Sequence, residues 1–282
     1  MAKNVKAYFE HHAHNYSDRH VQFYSKIVDY LRNITIASKK NEHGKHIGIC
    51  KDRISLLDVG CGNGSFVKSF LDSEQKKKAQ PDNDTDYYFL ATDVSFEMIK
   101  LAKENLSVLT KYEKNIGLLV SYAFNLPIQQ NKKFEIIHVD SVLHHLVDGS
   151  KRKSTELGKK LIEILVSILS DSSEGFLIVE EWHFLSYILP SFSSFLIFYG
   201  LKLINSLKLD LGFTKEIRRG LEVNFLSPEQ LHRILNNVAC RRRGSDVHLL
   251  DRVKVKFPTS YRLFLLREKS HTTFVLRVEK NI

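Results

Sequence analysis

Leu56-Leu57-Asp58-Val59-Gly60-Cys61-Gly62-Asn63-Gly64-Ser65 is the most informative stretch of the chain. Ile54 to Val59 reads as a buried strand that ends close to an acid. Three glycines follow at alternate positions, and Phe66, Val67, Phe70 and Leu71 then recur at helical spacing. Strand, glycine turn and helix form the first unit of a doubly wound α/β domain. Glycine lets the backbone turn sharply and lets a ligand lie against it. The helix start adds free N–H groups. The spacing is G-x-G-x-G, not the G-x-G-x-x-G of dinucleotide-binding folds, which disfavours a hydride-transferring dehydrogenase.

With Asp58 two residues ahead of the first glycine, the turn resembles motif I of the class I S-adenosylmethionine-dependent methyltransferases. The resemblance implies that Gly60, Cys61, Gly62 and Gly64 pass under the methionine part of the cofactor, with Asp58 near its cationic end. Tyr8-Phe9-Glu10-His11-His12-Ala13-His14-Asn15-Tyr16 is similar to the opening of the menaquinone- and ubiquinone-biosynthesis-type methyltransferases and their small-molecule relatives, the type 11/25-like domains. There the segment folds over the cofactor, which makes Tyr16 the candidate lid residue. His11 and His12 are adjacent and face apart on a helix, so no metal site is expected there.

Tyr87 to Asp93 reads as a second strand, again ending in an acid. A carboxylate at this place can accept both hydroxyl protons of a ribose diol. Asp93 follows Gly60 by 33 positions (60 to 93), against about 20 in the usual pattern. The polar stretch 72–86 accounts for the excess as a surface insertion. Ser95 is placed to cap the next helix, 96–109. The resemblance implies cofactor contacts from Val94 and Met98, the latter on adenine.

Ser121-Tyr122-Ala123-Phe124-Asn125-Leu126-Pro127-Ile128 is similar to the family's "GDAxxLPF" stretch. There the acid and the next amide read the adenine edge. Here Tyr122 stands in place of the acid, and Ala123 still offers its N–H. Phe134 to Leu146 resembles the "FDxIxxxxVLHHL" fourth-strand motif. Carboxyl ends of strands line the ligand crevice in such sheets, which puts Asp140, Ser141, His144 and His145 near the expected reaction centre. Asp140 is a candidate for both cofactor binding and catalysis. A histidine poised near neutrality can take a proton from an acceptor hydroxyl or an acidic carbon. His145 is equally suited to holding the loop by packing.

Leu157 to Ile168 marks an amphipathic helix, and Gly175 to Glu180 a fifth strand, with Glu180, Glu181 and His183 expected at its carboxyl end. Phe184 to Leu201 carries no charge over 18 residues and includes Pro190. It reads as a helical lid over an apolar acceptor pocket or as an interfacial segment; strands of the same sheet after it disfavour a membrane crossing. Ser227-Pro228-Glu229-Gln230 is a helix start with a capping box. Strands are expected at 247–255 and 273–278. The fold expected is an α/β, Rossmann-like, doubly wound sheet of seven strands, mostly parallel with an antiparallel last strand, and helices on both faces. The domain reading is a helical lid at 1–45 and a catalytic domain at 46–282, with a hydrophobic insertion at about 184–226.

The chain has 282 residues, 43% of them hydrophobic, enough for one large core. Cys50, Cys61 and Cys240 are odd in number and scattered with no C-x-x-C, which suggests a reducing compartment and neither a disulfide framework nor a zinc site. With no secretory signal at its start, the chain is expected in the cytoplasm, with peripheral membrane contact through 184–201. A net charge of +10 permits anionic partners without identifying one. No D/N-P-P-Y/F stretch follows the fourth strand, and no Pro-Cys pair is present. The reading is methyl transfer from S-adenosylmethionine to an oxygen or carbon of a small or lipid-like acceptor. An RNA or protein acceptor using basic loops such as Arg241 to Arg243, and a non-catalytic scaffold on the cofactor fold, are the alternatives.

Overall fold

The structure is a computed structural model. It describes residues 2–13, 21–36, 53–77, 86–109, 114–129, 131–170, 174–208, 220–242, 245–255 and 265–278. Tyr16, most of the expected 72–86 insertion, and Arg243 lie outside the described residues. Two helices open the chain, α1 (Ala2–His12) and α2 (Val21–Ile36). The rest alternates: β1 (Arg53–Val59), α3 (Ser65–Lys77), β2 (Asp86–Asp93), α4 (Phe96–Leu106), β3 (Ile116–Val120), β4 (Ile136–Asp140), α5 (Lys151–Ser167), β5 (Gly175–Ser186), α6 (Phe192–Ser206), α7 (Pro228–Ala239), β6 (Ser245–Val255) and β7 (Leu266–Val278). The strands form one seven-stranded sheet in the order β3-β2-β1-β4-β5-β7-β6, with the closing strands antiparallel. This is the architecture expected from the sequence.

The residues divide into two compact units, one of Phe9–His138, Ile168–Leu177 and Arg277–Ile282, the other of Met1–Tyr8, Val139–Ser167 and Ile178–Leu276. In the first, β1 runs parallel to β2 with Val59 opposite Thr92, and β2 runs parallel to β3 with Asp93 opposite Val120. That register brings three strand ends to one edge: the glycine turn leaving β1, Asp93 closing β2, and residues 121–125 leaving β3. The helix spacing read after the glycines is what buries α3. Phe66, Val67, Phe70 and Leu71 are all buried, and the Phe70 ring meets Tyr87 and Phe89 edge-on at 4.9 and 5.4 Å. Each such side chain contributes about 1.5–3 kcal/mol by leaving water. From α2, Tyr24, Val28 and Leu31 recur at helical spacing and are buried, and Tyr24 meets Phe66 edge-on at 5.5 Å.

In the second unit the sequence and the structure part at β5. The strand does not stop at Glu180. It continues to Ser186 and is buried at every one of its 12 positions. Glu180, Glu181 and His183 therefore lie inside a strand, not beyond its end. Charged residues signal a strand end only when they have no internal partner, and each of these has one. Phe184 to Ser186 belong to the strand as well, so the helix of the uncharged segment begins only at Phe192, after a turn that holds Pro190. β7 is likewise longer than expected, beginning at Leu266. The capping box of α7 forms as read: Gln230 N–H donates to Ser227 Oγ at 3.2 Å and Ser227 N–H to Gln230 Oε1 at 2.9 Å.

Candidate active site

The glycine turn is built by backbone that side chains oppose. Gly60, Gly62 and Gly64 have φ of 73°, 53° and 77°, in the left-handed region. A Cβ on Gly64 would also stand 3.1 Å from Leu106 Cδ1 and 3.2 Å from Ala102 Cβ. Thr92 carbonyl accepts from Gly60 N–H at 2.7 Å and Cys61 N–H at 2.9 Å, which ties the turn to the end of β2. Cys61 is buried, and burial followed by the charges of Asp58 and Asp93 pushes its thiol up, so it stays protonated.

Asp93 lies at the centre of this edge. Its Oδ2 accepts from Gly62 N–H at 3.1 Å and its Oδ1 from Ser95 N–H at 2.9 Å. Burial outweighs those bonds and raises its carboxyl to about 6. Val94 is half-buried beside it, and Ser95 caps α4 through Met98 N–H at 3.2 Å. Met98 itself is buried on the inner side of α4. Ser121 N–H donates to Asp93 carbonyl at 2.8 Å, and Asn125 N–H to Tyr122 carbonyl at 2.9 Å, closing a turn on which Tyr122 is exposed and Ala123 half-exposed. Gly62, Asp93, Val94, Tyr122 and Ala123 are thus brought to one place.

Asp58 is placed differently from the rest. It is buried beneath the turn, and His138 Nδ1 donates to its Oδ1 at 2.8 Å. The His138 ring stacks on Phe66 at 3.7 Å. Its visible work is to anchor the strand ends under the loop.

Glu10 has a role that no local pattern signals. Its Oε1 accepts from Phe96 N–H at 2.9 Å and its Oε2 from Glu97 N–H at 3.3 Å. A carboxylate there satisfies orphan donors at a helix start and suits the positive end of the dipole.

In the second unit, Leu143–His145 form one 3-10 turn after β4. His144 is buried, and Glu181 holds it twice: Oε2 accepts its backbone N–H at 3.1 Å, and Oε1 accepts from Nδ1. Glu181 Oε1 also accepts from Trp182 N–H at 2.9 Å. Phe225 stacks on the His144 ring at 4.8 Å. Among the described residues nothing hydrogen-bonds to His144 Nε2, so the ring is fixed in one tautomer with its other nitrogen available. His145 lies 4.1 Å from it, ring to ring. Burial, then the neighbouring His144, lowers its pKa well below the usual value and keeps it neutral.

Asp140 ends β4. Ser141 Oγ donates to its Oδ1 at 2.7 Å, and Ser141 has a left-handed φ of 57°. His271 of β7 lies between two acids, with Nε2 3.5 Å from Asp140 Oδ1 and Nδ1 3.7 Å from Glu180 Oε2. Asp140, Glu180 and His271 are the one group of carboxylates and histidines among the described residues spaced closely enough for a metal ion. No spacing in the sequence signals it, because the three come from three strands.

His183 is an anchor. Its Nδ1 donates to Leu226 carbonyl at 2.6 Å and its Nε2 accepts from Thr272 Oγ1, while burial lowers its pKa to about 4. Of the basic run, Arg241 pairs with Glu163 at 2.7 Å and Arg242 donates to Val166 carbonyl at 2.9 Å.

Residues 50–170 match a family model described as a methyltransferase domain. No curated protein matches the chain. Among solved structures, magnesium protoporphyrin IX methyltransferase from Synechocystis PCC 6803 with bound SAH is 13% identical, covering 96% of this chain and 97% of its own, with a TM-score of 0.54. The YcgJ protein from Bacillus subtilis is 12% identical, covering 82% and 94%, with a TM-score of 0.51. The [4+2]-cyclase SpnF is 14% identical, covering 91% and 81%, with a TM-score of 0.52. At these identities the likeness is one of fold, and the cyclase shows that the fold alone does not choose the reaction. Residues 50–170, which hold the glycine turn and β1 to β4, thus match a methyltransferase domain, and the whole chain shares the Rossmann-like fold of these structures.

Proposed function

We propose that the chain methylates an oxygen of a small, lipophilic acceptor, with His144 as the base. The carrying observation is the histidine itself: buried, oriented through Nδ1 by Glu181, and without a hydrogen-bond partner on Nε2 among the described residues. An imidazole held this way suits an acceptor that must lose a proton, such as a hydroxyl. Carbon acceptors with an acidic proton are the second choice.

The residues at the glycine turn fit the cofactor. A carboxylate has about four lone-pair sites, and each oxygen of Asp93 receives one described amide, so capacity remains for a ribose diol. Gly60, Cys61, Gly62 and Gly64 offer close backbone. Val94, Tyr122 and Ala123 are accessible to the adenine, whereas Met98 is buried in α4, and Asp58 holds the turn from beneath. When bound, S-adenosylmethionine supplies an electrophilic methyl group. The protein's main contribution is to hold the acceptor in line and exclude water. His144 Nε2 receives the acceptor proton, which adds about 10²–10⁴-fold. Asp140, steadied by Ser141, orients the acceptor or the cofactor amine. The helices of 1–45 act as a lid, with Tyr16 its candidate contact.

Calorimetric titration with S-adenosylhomocysteine, with NAD as control, tests the cofactor. Transfer of labelled methyl from S-adenosylmethionine to a panel of apolar phenols, carboxylic acids and amines tests the acceptor. Methylation of the amines alone, unaffected by His144→Gln, would overturn the assignment of a base.

A further inference from the structure

The outer face of α6 is apolar and exposed. Phe195, Leu196, Tyr199, Leu203 and Leu207 are all exposed, Leu203 at 60%. Their spacing puts them on one side of the helix, while Ser194, Phe198 and Leu201 bury the other. The preceding turn continues the patch, with Tyr187, Ile188 and Leu189 exposed at 57%, 62% and 60%. A helix that is apolar on its outer as well as its inner side needs a second apolar phase. A contiguous patch of this kind marks an interaction surface.

Charge selects the partner. From 184 to 208 the chain has no acid and carries Lys202 and Lys208. Lys202 lies between the inner and outer faces, its Nζ held by Gly149 carbonyl at 2.7 Å. Lys208 is exposed just past the helix end. Two tyrosines, Tyr187 and Tyr199, stand within the patch, as amphipathic rings do at a lipid interface. A second copy on this face would bring like charges together on a chain of net charge +10. No described helix is long and apolar enough to cross a membrane. We infer that the 187–189 turn and the outer face of α6 dock on an anionic lipid bilayer, lying in its surface. The docking rests on this surface alone and does not require the oxygen-methylation reading.

The test is flotation of the full chain with phosphatidylcholine vesicles, with and without phosphatidylserine. The chain should float with the anionic vesicles, less with the neutral ones, and less again at high salt. The double variant Phe195→Glu, Leu203→Glu should lose at least about ten-fold in partitioning, because two apolar contacts become charges. Its S-adenosylhomocysteine affinity and melting temperature should be unchanged, which separates this result from a failed fold or a misassigned cofactor. Flotation of the variant equal to that of the parent overturns the proposal. So does a parent chain that stays in solution, a dimer that the variant splits, or a fall in melting temperature showing that the chain covers the face itself.

Discussion

Asp93 gives a prediction in which cofactor affinity and stability move in opposite directions with pH. Burial raises its carboxyl from 3.8 to about 6 in the cofactor-free protein. A ribose diol donates to the ionised form, so binding below about 6 must expel a proton. At pH 5 about one tenth of the carboxyl is ionised, and S-adenosylhomocysteine affinity should fall about ten-fold, or about 1.4 kcal/mol, from its plateau above pH 7. Stability of the free protein carries the other sign. The folded state holds this proton more tightly than the unfolded one, so the contribution is full below 3.8 and is lost as pH rises through about 6. The shift corresponds to about 3 kcal/mol. Asp93→Asn should remove both effects, binding more weakly at pH 7.5 but without the acid loss. Calorimetric titrations from pH 5 to 8, in two buffers of different ionisation heat, read the affinity and the proton count together. The quantity to compare is parent minus variant, which cancels the ligand's own titration. Equal pH dependence in the two proteins would refute a ribose-binding role for Asp93.

Glu181→Gln keeps the shape but removes the charge that fixes His144; turnover should fall about ten- to a hundred-fold with S-adenosylhomocysteine affinity unchanged, as steady-state kinetics and calorimetry would show. Gly62→Ala forces an L residue to a φ of 53°, a strain of about 1–2 kcal/mol, and should weaken S-adenosylhomocysteine binding before it weakens the fold. Asp58→Ala removes the buried carboxylate that accepts from His138 Nδ1 and should cost about 3 kcal/mol, read as a lower urea midpoint at unchanged slope. Lys151 Nζ donates to Ser194 Oγ at 2.5 Å, Asn224 Oδ1 at 2.9 Å and Phe225 carbonyl at 2.9 Å. Lys151→Met should destabilise by about 2 kcal/mol and speed amide exchange in α6, which the lysine fastens through Ser194.

The glycine turn, Asp93 and the α7 cap were legible because each depends on neighbours in sequence. Backbone φ, strand-end acids and capping boxes are local devices, and their residue types point to one geometry. What escaped was held by long-range partners. Glu181 looks like a loop acid until His144, 37 positions away, is seen against it. Glu10 meets α4 from 86 positions off. His271 falls between Asp140 and Glu180 only because β7 inserts beside β5. The same cause explains the misplaced end of β5: a rule that buried strands are apolar fails where another strand supplies the counter-group.

That strand has a consequence for how the chain is made. Thr273 Oγ1 donates to Glu180 from 93 positions downstream, and Thr272 meets His183 across 89. On a ribosome, the second half of β5 emerges long before the residues that satisfy Glu180 and His183. Until β7 arrives, those groups keep their water, and the half-made sheet is held open where a purely aliphatic strand would collapse early against the wrong neighbour. Burial of Glu180 and His183 in β5 therefore waits on β7.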